Sequence, residues 1–260
     1  MVGGRCGGSG GIESVCEQGW PQYIGCMPWP WFQQLSQRLP SQCAVCHAWP
    51  SAPVCEACVH LFAQPCARCR RCALPVPAGQ ALCGSCATSD GALDAALAAV
   101  SYAYPWSNLV VEFKFAQHPA WARSMAVLMH SAPWVEPALD EADLLLPMPL
   151  SRQRLQERGF NQALLLSKAL APRKTQADLL LRIRDTPPQS SLSRTARLQN
   201  VQKAFALEPM HHAAVAGQRI VLVDDVMTSG ASLTAAAQCL KQAGAAHITA
   251  LVFARAERGA

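Results

Sequence analysis

The run VLVDDVMTSGASL, residues 221–233, constrains this chain more than any other stretch. Val221, Leu222 and Val223 give a short buried-strand signal, and the carboxylates of Asp224 and Asp225 follow. Val226 and Met227 then lead into a small, hydroxyl-rich turn of Thr228, Ser229, Gly230, Ala231 and Ser232. An alanine-rich helix is expected next, with Leu233, Ala236, Ala237 and Leu240 at helical spacing and Gly244 as the C′ residue. This arrangement suits a sugar phosphate. Backbone N–H groups and hydroxyls of such a turn can surround a phosphate at the helix N-terminus, where unpaired donors and the macrodipole favour an anion. The carboxylates can accept hydrogen bonds from vicinal ribose hydroxyls. An acid pair alone would fit an ordinary strand-to-helix turn; the hydroxyl-rich continuation is what points to phosphate.

Cysteine spacing is the second constraint. Of thirteen cysteines, nine fall between Cys43 and Cys86, in the runs CAVC (Cys43, Cys46), CEAC (Cys55, Cys58), CARCRRC (Cys66, Cys69, Cys72) and CGSC (Cys83, Cys86). Each C-x-x-C pair reads as a tight knuckle, and two knuckles supply the four thiolates of a closed tetrahedral zinc site. Cys43, Cys46, Cys55, Cys58, Cys69, Cys72, Cys83 and Cys86 therefore allow two structural zinc ions. Spacing leaves open which pairs share a metal. Cys66 is left over, and His47 reads as a solvated neighbour of Cys46 rather than a ligand. The segment has too few large apolar residues for a core of its own, so metal would supply its folding energy, on the order of 10 kcal/mol or more per site. The start of the chain shows no basic region followed by an apolar core. Metal ligation in a reducing compartment is therefore expected over an exported disulfide scaffold.

The rest of the composition fits a globular protein. Hydrophobic residues make up 51% of the chain, ample for a core, and no apolar run approaches the roughly 18–20 residues that span a bilayer. A cytoplasmic protein is expected. The net charge of +5 is unevenly placed: residues 151–203 alone carry eleven basic and three acidic side chains. Such a patch favours phosphate-bearing partners, small molecules or nucleic acid.

Residues 1–40 are glycine-rich with no stable period; they are expected to be a disordered tail or an upstream extension, with translation starting at Met27. Residues 41–90 form the expected zinc-ribbon domain, and residues 91–260 an α/β domain. Within the latter, Val100–Tyr104 reads as a strand, Leu109–Phe115 as a helix or strand, and Trp121–Met129 as a helix. Lys114 reads as a snorkelling surface lysine, with contact to an anion the alternative. Leu144–Leu146 form a buried strand ending at Pro147-Met148-Pro149. A loop carrying Arg152, Arg154, Arg158 and Gly159 follows, and then a helix from Asn161 to Leu170. A second basic loop runs from Leu179 to Phe205; a loop of that length is more often functional than idle. His247–Phe253 reads as the last strand.

Taken together, the C-x-x-C pairs, CRRCALPVP, the PMPL strand end, RGFNQA, the stretch Gln189–Asn200 and VLVDDVMTSGAS resemble, in order and spacing, the ComF family. The resemblance covers residues 41–255, and the 221–233 run is similar to the phosphoribosyl-diphosphate (PRPP) motif of type I phosphoribosyltransferases. It implies an α/β type I phosphoribosyltransferase fold, a parallel sheet flanked by helices, behind an N-terminal double zinc ribbon with four cysteines per site. By residue, it implies Asp224 and Asp225 on the ribose hydroxyls, Thr228, Ser229, Gly230, Ala231 and Ser232 around the 5′-phosphate, and Arg154, Arg158 and Gly159 at the diphosphate. Arg194 and Arg197 would belong to a hood over the substrate. Magnesium would accompany PRPP. The family is associated with single-stranded DNA handling in natural transformation at the cytoplasmic face of the inner membrane. Single-stranded DNA and competence-machinery proteins are thus implied partners. The alternative is an active phosphoribosyltransferase of nucleotide metabolism or salvage, for which no general base and no acceptor pocket can be named.

Overall fold

The computed structural model describes residues 41–89, 91–115, 118–183 and 204–257. The expectations for residues 1–40, Met27 included, and for Gln189–Asn200 with Arg194 and Arg197 lie outside the described residues. The described residues from 42 onward fall in one compact unit. The cysteine segment holds two short helices, α1 (Glu56–Phe62) and α2 (Gly84–Ala87). Strand β1 (Ala95–Ser101) follows, then α3 (Trp106–Phe115), α4 (Trp121–His130) and α5 (Val135–Glu141), then β2 (Leu144–Pro147). Next come α6 (Arg152–Arg158), α7 (Gln162–Leu170), β3 (Leu180–Arg182) and β4 (Phe205–Leu207). The chain then forms β5 (Arg219–Met227), α8 (Ala231–Gln242) and β6 (His247–Arg255).

The main sheet has the order β1-β6-β5-β2 and every pairing in it is parallel. A parallel sheet must be covered on both faces, and the alternation along β5 and β6 shows how. Ile220 and Leu222 of β5 and Ile248, Ala250 and Val252 of β6 join one apolar cluster with Leu233, Ala236, Ala237 and Leu240 of α8. Val221 and Val223 of β5 and Leu251 and Phe253 of β6 face the other way, onto Leu109 and Phe113 of α3 and Met125 and Met129 of α4. Each fully buried side chain of this size contributes about 1.5–3 kcal/mol on leaving water. Trp106 closes the second cluster edge-on to Phe253, with ring centroids 6.0 Å apart.

Several boundaries differ from expectation. The first strand is Ala95–Ser101, not Val100–Tyr104: its buried side is Ala96, Ala98 and Val100, and the two alanines ahead of Val100 give little hydrophobic signal. Leu109–Phe115 resolves as a helix, burying Trp106, Leu109, Val110 and Phe113 on one face. The loop expected around Arg152–Arg158 is helix α6, and α5 is an unpredicted helix. The acid pair sits within β5 rather than after it. The span expected as one basic loop, Leu179–Phe205, opens with strand β3 at Leu180–Arg182 and ends where β4 begins; the two pair antiparallel, with Leu181 against Ala206.

Candidate functional site

The carboxyl ends of β2 and β5 lie side by side, Pro147 against Val223, and the segments leaving them enclose the site. This is where ligands bind in open parallel sheets. A cavity of about 310 Å³ is lined there by Tyr102, Lys114, Arg154, Arg158, Asn161, Gln162, Arg182, Asp224, Asp225, Thr228 and Ser232, among others. It falls within the roughly 300–1,000 Å³ of small-molecule sites. A smaller cavity of about 200 Å³ lies at the opposite, amino end of the strands, beside Trp134 and Arg219. The expected site residues Arg154, Arg158, Asp224, Asp225, Thr228 and Ser232 thus line one space.

The turn after β5 is built by glycine. Gly230 has φ +77°, a backbone region that favours glycine; the Met227 Cε that a Cβ there would meet at 2.5 Å is the end of a flexible side chain and can turn aside. Ala231 N–H donates to Ser229 Oγ at 3.3 Å. Helix α8 starts there and runs twelve residues, which leaves its first N–H groups facing the turn. Thr228 and Ser229 are exposed, while Gly230 is buried.

The RGFNQ stretch positions the cations opposite. Ser151 Oγ caps α6 by accepting from Arg154 N–H. Gly159, φ +77°, ends the helix, its N–H donating to Leu155 O at 2.8 Å. Phe160 packs on Phe113 at 5.8 Å between ring centroids. Asn161 caps α7 by accepting from Leu164 N–H, and its Nδ2 donates to Met148 O at 3.1 Å. Gln162, buried, accepts from Arg158 Nη1 at 3.0 Å, and the Arg158 guanidinium lies over the Phe115 ring at 5.4 Å. Arg154 and Arg158 are one helical turn apart and share a face. Burial lowers the Arg158 pKa, and the Asp225 and Asp224 carboxylates counter that pull.

Lys114 corrects the sequence reading. It is an inward-reaching cation, not a snorkelling surface lysine: its Nζ lies 3.0 Å from Asp225 Oδ1 with only 19% of the side chain exposed. Nothing in the sequence links residues 111 positions apart, although the flanking Phe113 and Phe115 hinted that Lys114 sits at an apolar boundary. Asp225 N–H donates to Asp224 Oδ1 at 2.9 Å. Burial, and then the Asp225 charge, push the Asp224 carboxyl up to about 7, against Lys114, the Asp225 N–H and Arg158. Among the described residues, Asp225 Oδ2 and Gln162 Nε2 are buried with no protein partner. Both residues line the cavity, which thus offers an unused acceptor and an unused donor.

The cysteine pairs divide by sequence neighbourhood. Cys43, Cys46, Cys55 and Cys58 form one cluster and Cys69, Cys72, Cys83 and Cys86 the other, each with its Sγ atoms within 4.8 Å of one another. Tetrahedral zinc with Zn–S of about 2.3 Å places sulfurs roughly 3.8 Å apart. The Sγ distances are 3.9 Å for Cys43–Cys58 and 3.6 Å for Cys46–Cys55 and Cys72–Cys83. These closed sulfur sets fit a double zinc ribbon. Desolvation opposes ionisation of Cys43, but N–H donors from Cys46 and Cys55 outweigh it and lower that thiol to about 6, whereas burial pushes Cys58 of the same cluster up to about 12. Cys66 is exposed and His47 lies outside both clusters.

Residues 174–260 match the phosphoribosyl transferase domain family. The chain is 30% identical over 201 residues to the DNA utilization protein YhgH of Salmonella typhimurium, covering 75% of this chain and 87% of that protein. It is 32% identical over 183 residues to Competence protein F of Haemophilus influenzae, covering 67% and 78%. With Competence protein ComFC of Bacillus subtilis it shares 35% over 117 residues, covering 45% and 46%. With its two cysteine clusters set before a parallel-sheet phosphoribosyltransferase domain, and relatives of these names along most of its length, the chain belongs to the ComF family.

Proposed function

We propose that the cavity at the ends of β2 and β5 binds PRPP, and that the protein serves in handling incoming single-stranded DNA. The observation that carries the first part is the meeting of opposite charges in one space. Asp224, Asp225, Arg154, Arg158, Thr228 and Ser232 all line the cavity, and an α-helix opens at Ala231 within the small-residue turn. The turn takes the 5′-phosphate on backbone N–H groups and hydroxyls. Asp224 and Asp225 accept from the ribose hydroxyls. Arg154 and Arg158 take the diphosphate, whose oxygens suit a planar two-pronged guanidinium.

Lys114 holds Asp225 Oδ1, which leaves Oδ2 as the acceptor for a ribose hydroxyl or a hydrated cation. Magnesium arriving with the diphosphate would screen its charge, and that buried carboxylate oxygen fits such a group. Gln162 steadies Arg158. The protein's part is positioning and charge stabilisation.

The second part of the proposal is supported by the names of the relatives, DNA utilization protein and competence protein, and by the basic excess of residues 151–203. Arg154 is exposed and can serve a phosphate of either ligand. Such binding is salt-dependent, because each neutralised phosphate releases counterions.

Calorimetric titration of the full chain with PRPP, with and without single-stranded DNA, tests both parts. Saturable PRPP binding that is weakened by Arg158→Ala is expected, with DNA binding that falls as salt rises. No heat on PRPP addition, or DNA binding indifferent to salt, would sink the corresponding part. Diphosphate release on adding bases, amines or ammonia would instead make the same residues a transferase, with Arg154 and Arg158 holding the leaving group.

A further inference from the structure

Arg255, the last residue of β6, is 3% exposed. Its Nε donates to Cys72 O at 2.7 Å and its Nη1 to Met227 O at 2.8 Å. The carbonyls of Thr228 and Ala256 also lie within reach of Nη1, so that three acceptors share its two N–H groups. One buried guanidinium therefore joins a residue of the second cysteine cluster to the first two peptide units of the turn after β5. We propose that Arg255 is a positioning residue that couples the second cysteine cluster to the phosphate turn, so that zinc at Cys69, Cys72, Cys83 and Cys86 raises the affinity for a ribose 5-phosphate group. The proposal rests on the reading of Thr228–Ser232 as the phosphate turn.

The geometry gives the link a direction. In a trans peptide the C=O and the next N–H point opposite ways across one plane. Holding the carbonyls of Met227 and Thr228 toward Arg255 aims the N–H groups of Thr228 and Ser229 away from it. Those are donors that a phosphate turn must present, and fixing them in advance lowers the cost of binding. A buried guanidinium is stable only while its donors are taken. If the Cys72 carbonyl moves, Arg255 loses an acceptor and must shift against the turn.

The position of that carbonyl depends on the metal, because the Sγ of the same residue is one of the four ligands. A second arginine grips the same knuckle. Arg68 Nη1 donates to Ala73 O at 3.1 Å and its Nη2 to Ser101 Oγ at 3.2 Å, at the carboxyl end of β1. Ala73 is fully buried at φ +56° and its N–H donates to Cys69 O at 2.8 Å. The knuckle between Cys69 and Ala73 is thus seated on the sheet end that carries the cavity. The first cluster docks elsewhere, where Trp106 Nε1 of α3 donates to Phe62 O at 2.8 Å.

A double-mutant cycle on the full, zinc-loaded chain tests the coupling, with zinc content measured for each variant. Its arms are Cys83→Ser, which removes one ligand without touching Cys72, Arg255→Gln, and the two combined. Affinity for ribose 5-phosphate and for PRPP is read by calorimetry, and hydrogen exchange of the Thr228–Ser232 amides is read without ligand. Cys83→Ser is expected to weaken binding on the order of tenfold and to speed exchange in the turn, and to do neither in the Arg255→Gln background. Cys46→Ser, the matching change in the first cluster, is expected to add to Arg255→Gln without interaction. If Arg255→Gln fails to fold, Arg255→Lys replaces it, since a lysine keeps the charge but loses the planar fork.

Independent, additive effects of Cys83→Ser and the Arg255 variant would overturn the coupling. So would unchanged amide exchange in the turn of Cys83→Ser. A wild-type chain that binds neither ligand would overturn the phosphate reading, while the exchange arm would still decide whether the cluster and the turn are linked.

Discussion

Burial in β5 and the neighbouring Asp225 charge push Asp224 up to about 7, which brings its ionisation close to neutral pH. For stability, a raised carboxyl pKa means that the folded chain keeps a proton that the unfolded chain has released. Its contribution is full below the unfolded value near 3.8 and is lost as pH rises through about 7. For the ribose contact proposed above the sign reverses, because a hydroxyl would donate to the ionised carboxylate. PRPP affinity measured by calorimetry is expected to fall as pH drops below about 7, and Asp224→Asn is expected to flatten that limb. An identical slope in the variant would assign the titration to the ligand's own phosphates instead. Lys114 carries the second prediction at this scale. Its pair with Asp225 is mostly buried, 19% and 8% exposed, and removing one member of such a pair leaves an uncompensated charge, at a cost of about 3 kcal/mol. Lys114→Met should lower the unfolding free energy by that order, read from the shift in denaturant midpoint. Lys114→Met combined with Asp225→Asn should recover much of the loss, and a double variant no better than the single would refute the pairing.

At the scale of elements, legibility followed hydrophobic period. α7 and α8 could be read because each buries a regular apolar face, as Leu233, Ala236, Ala237 and Leu240 do on α8, and β5 and β6 because strands covered on both faces read as continuous apolar runs. Helix α6 could not, because none of its residues is buried and a helix that is polar all round gives no period. Its ends were still written in the chain, as Ser151 at the N-cap and Gly159 in the left-handed region. β1 was misplaced because two alanines carry its buried side ahead of Val100. The cavity's two carboxylates, its turn and two of its arginines were legible, since they sit within single short runs. Lys114 was not, because its place depends on tertiary approach. Asn161 shows what the RGFNQ run does for the fold: it caps α7 and ties that cap to Met148 O beyond β2. Asn161→Ala should therefore cost about 1 kcal/mol for the cap alone and should also weaken PRPP binding, since Gln162 and Arg158 follow from that turn. A variant that loses stability but binds PRPP as tightly as the parent would show that α7 does not place the arginines.

Over the whole molecule, the ribbon is fastened to the sheet rather than tethered beside it. Arg70 O accepts from Ala96 N–H at 2.7 Å along edge strand β1, and Arg68, Arg255 and Trp106 add links from both clusters. A segment with so few large apolar residues of its own takes its folding energy from metal, on the order of 10 kcal/mol per structural zinc. Because it is fastened, part of that energy is expected to reach the phosphoribosyltransferase domain. Elemental analysis of the purified chain should find two zinc ions per molecule, matching the two sulfur clusters. Chelation should then do more than expose residues 42–89 to protease. It should also lower the melting temperature of the sheet, read by hydrogen exchange at Val221–Val223 and Leu251–Phe253, whose side chains are at most 2% exposed. Sheet amides that keep full protection while the ribbon is digested would show that the contacts at Cys72, Ala73 and Phe62 carry no energy across the boundary. Loss of both together would make zinc occupancy a condition for the phosphate-binding fold as well as for the ribbon.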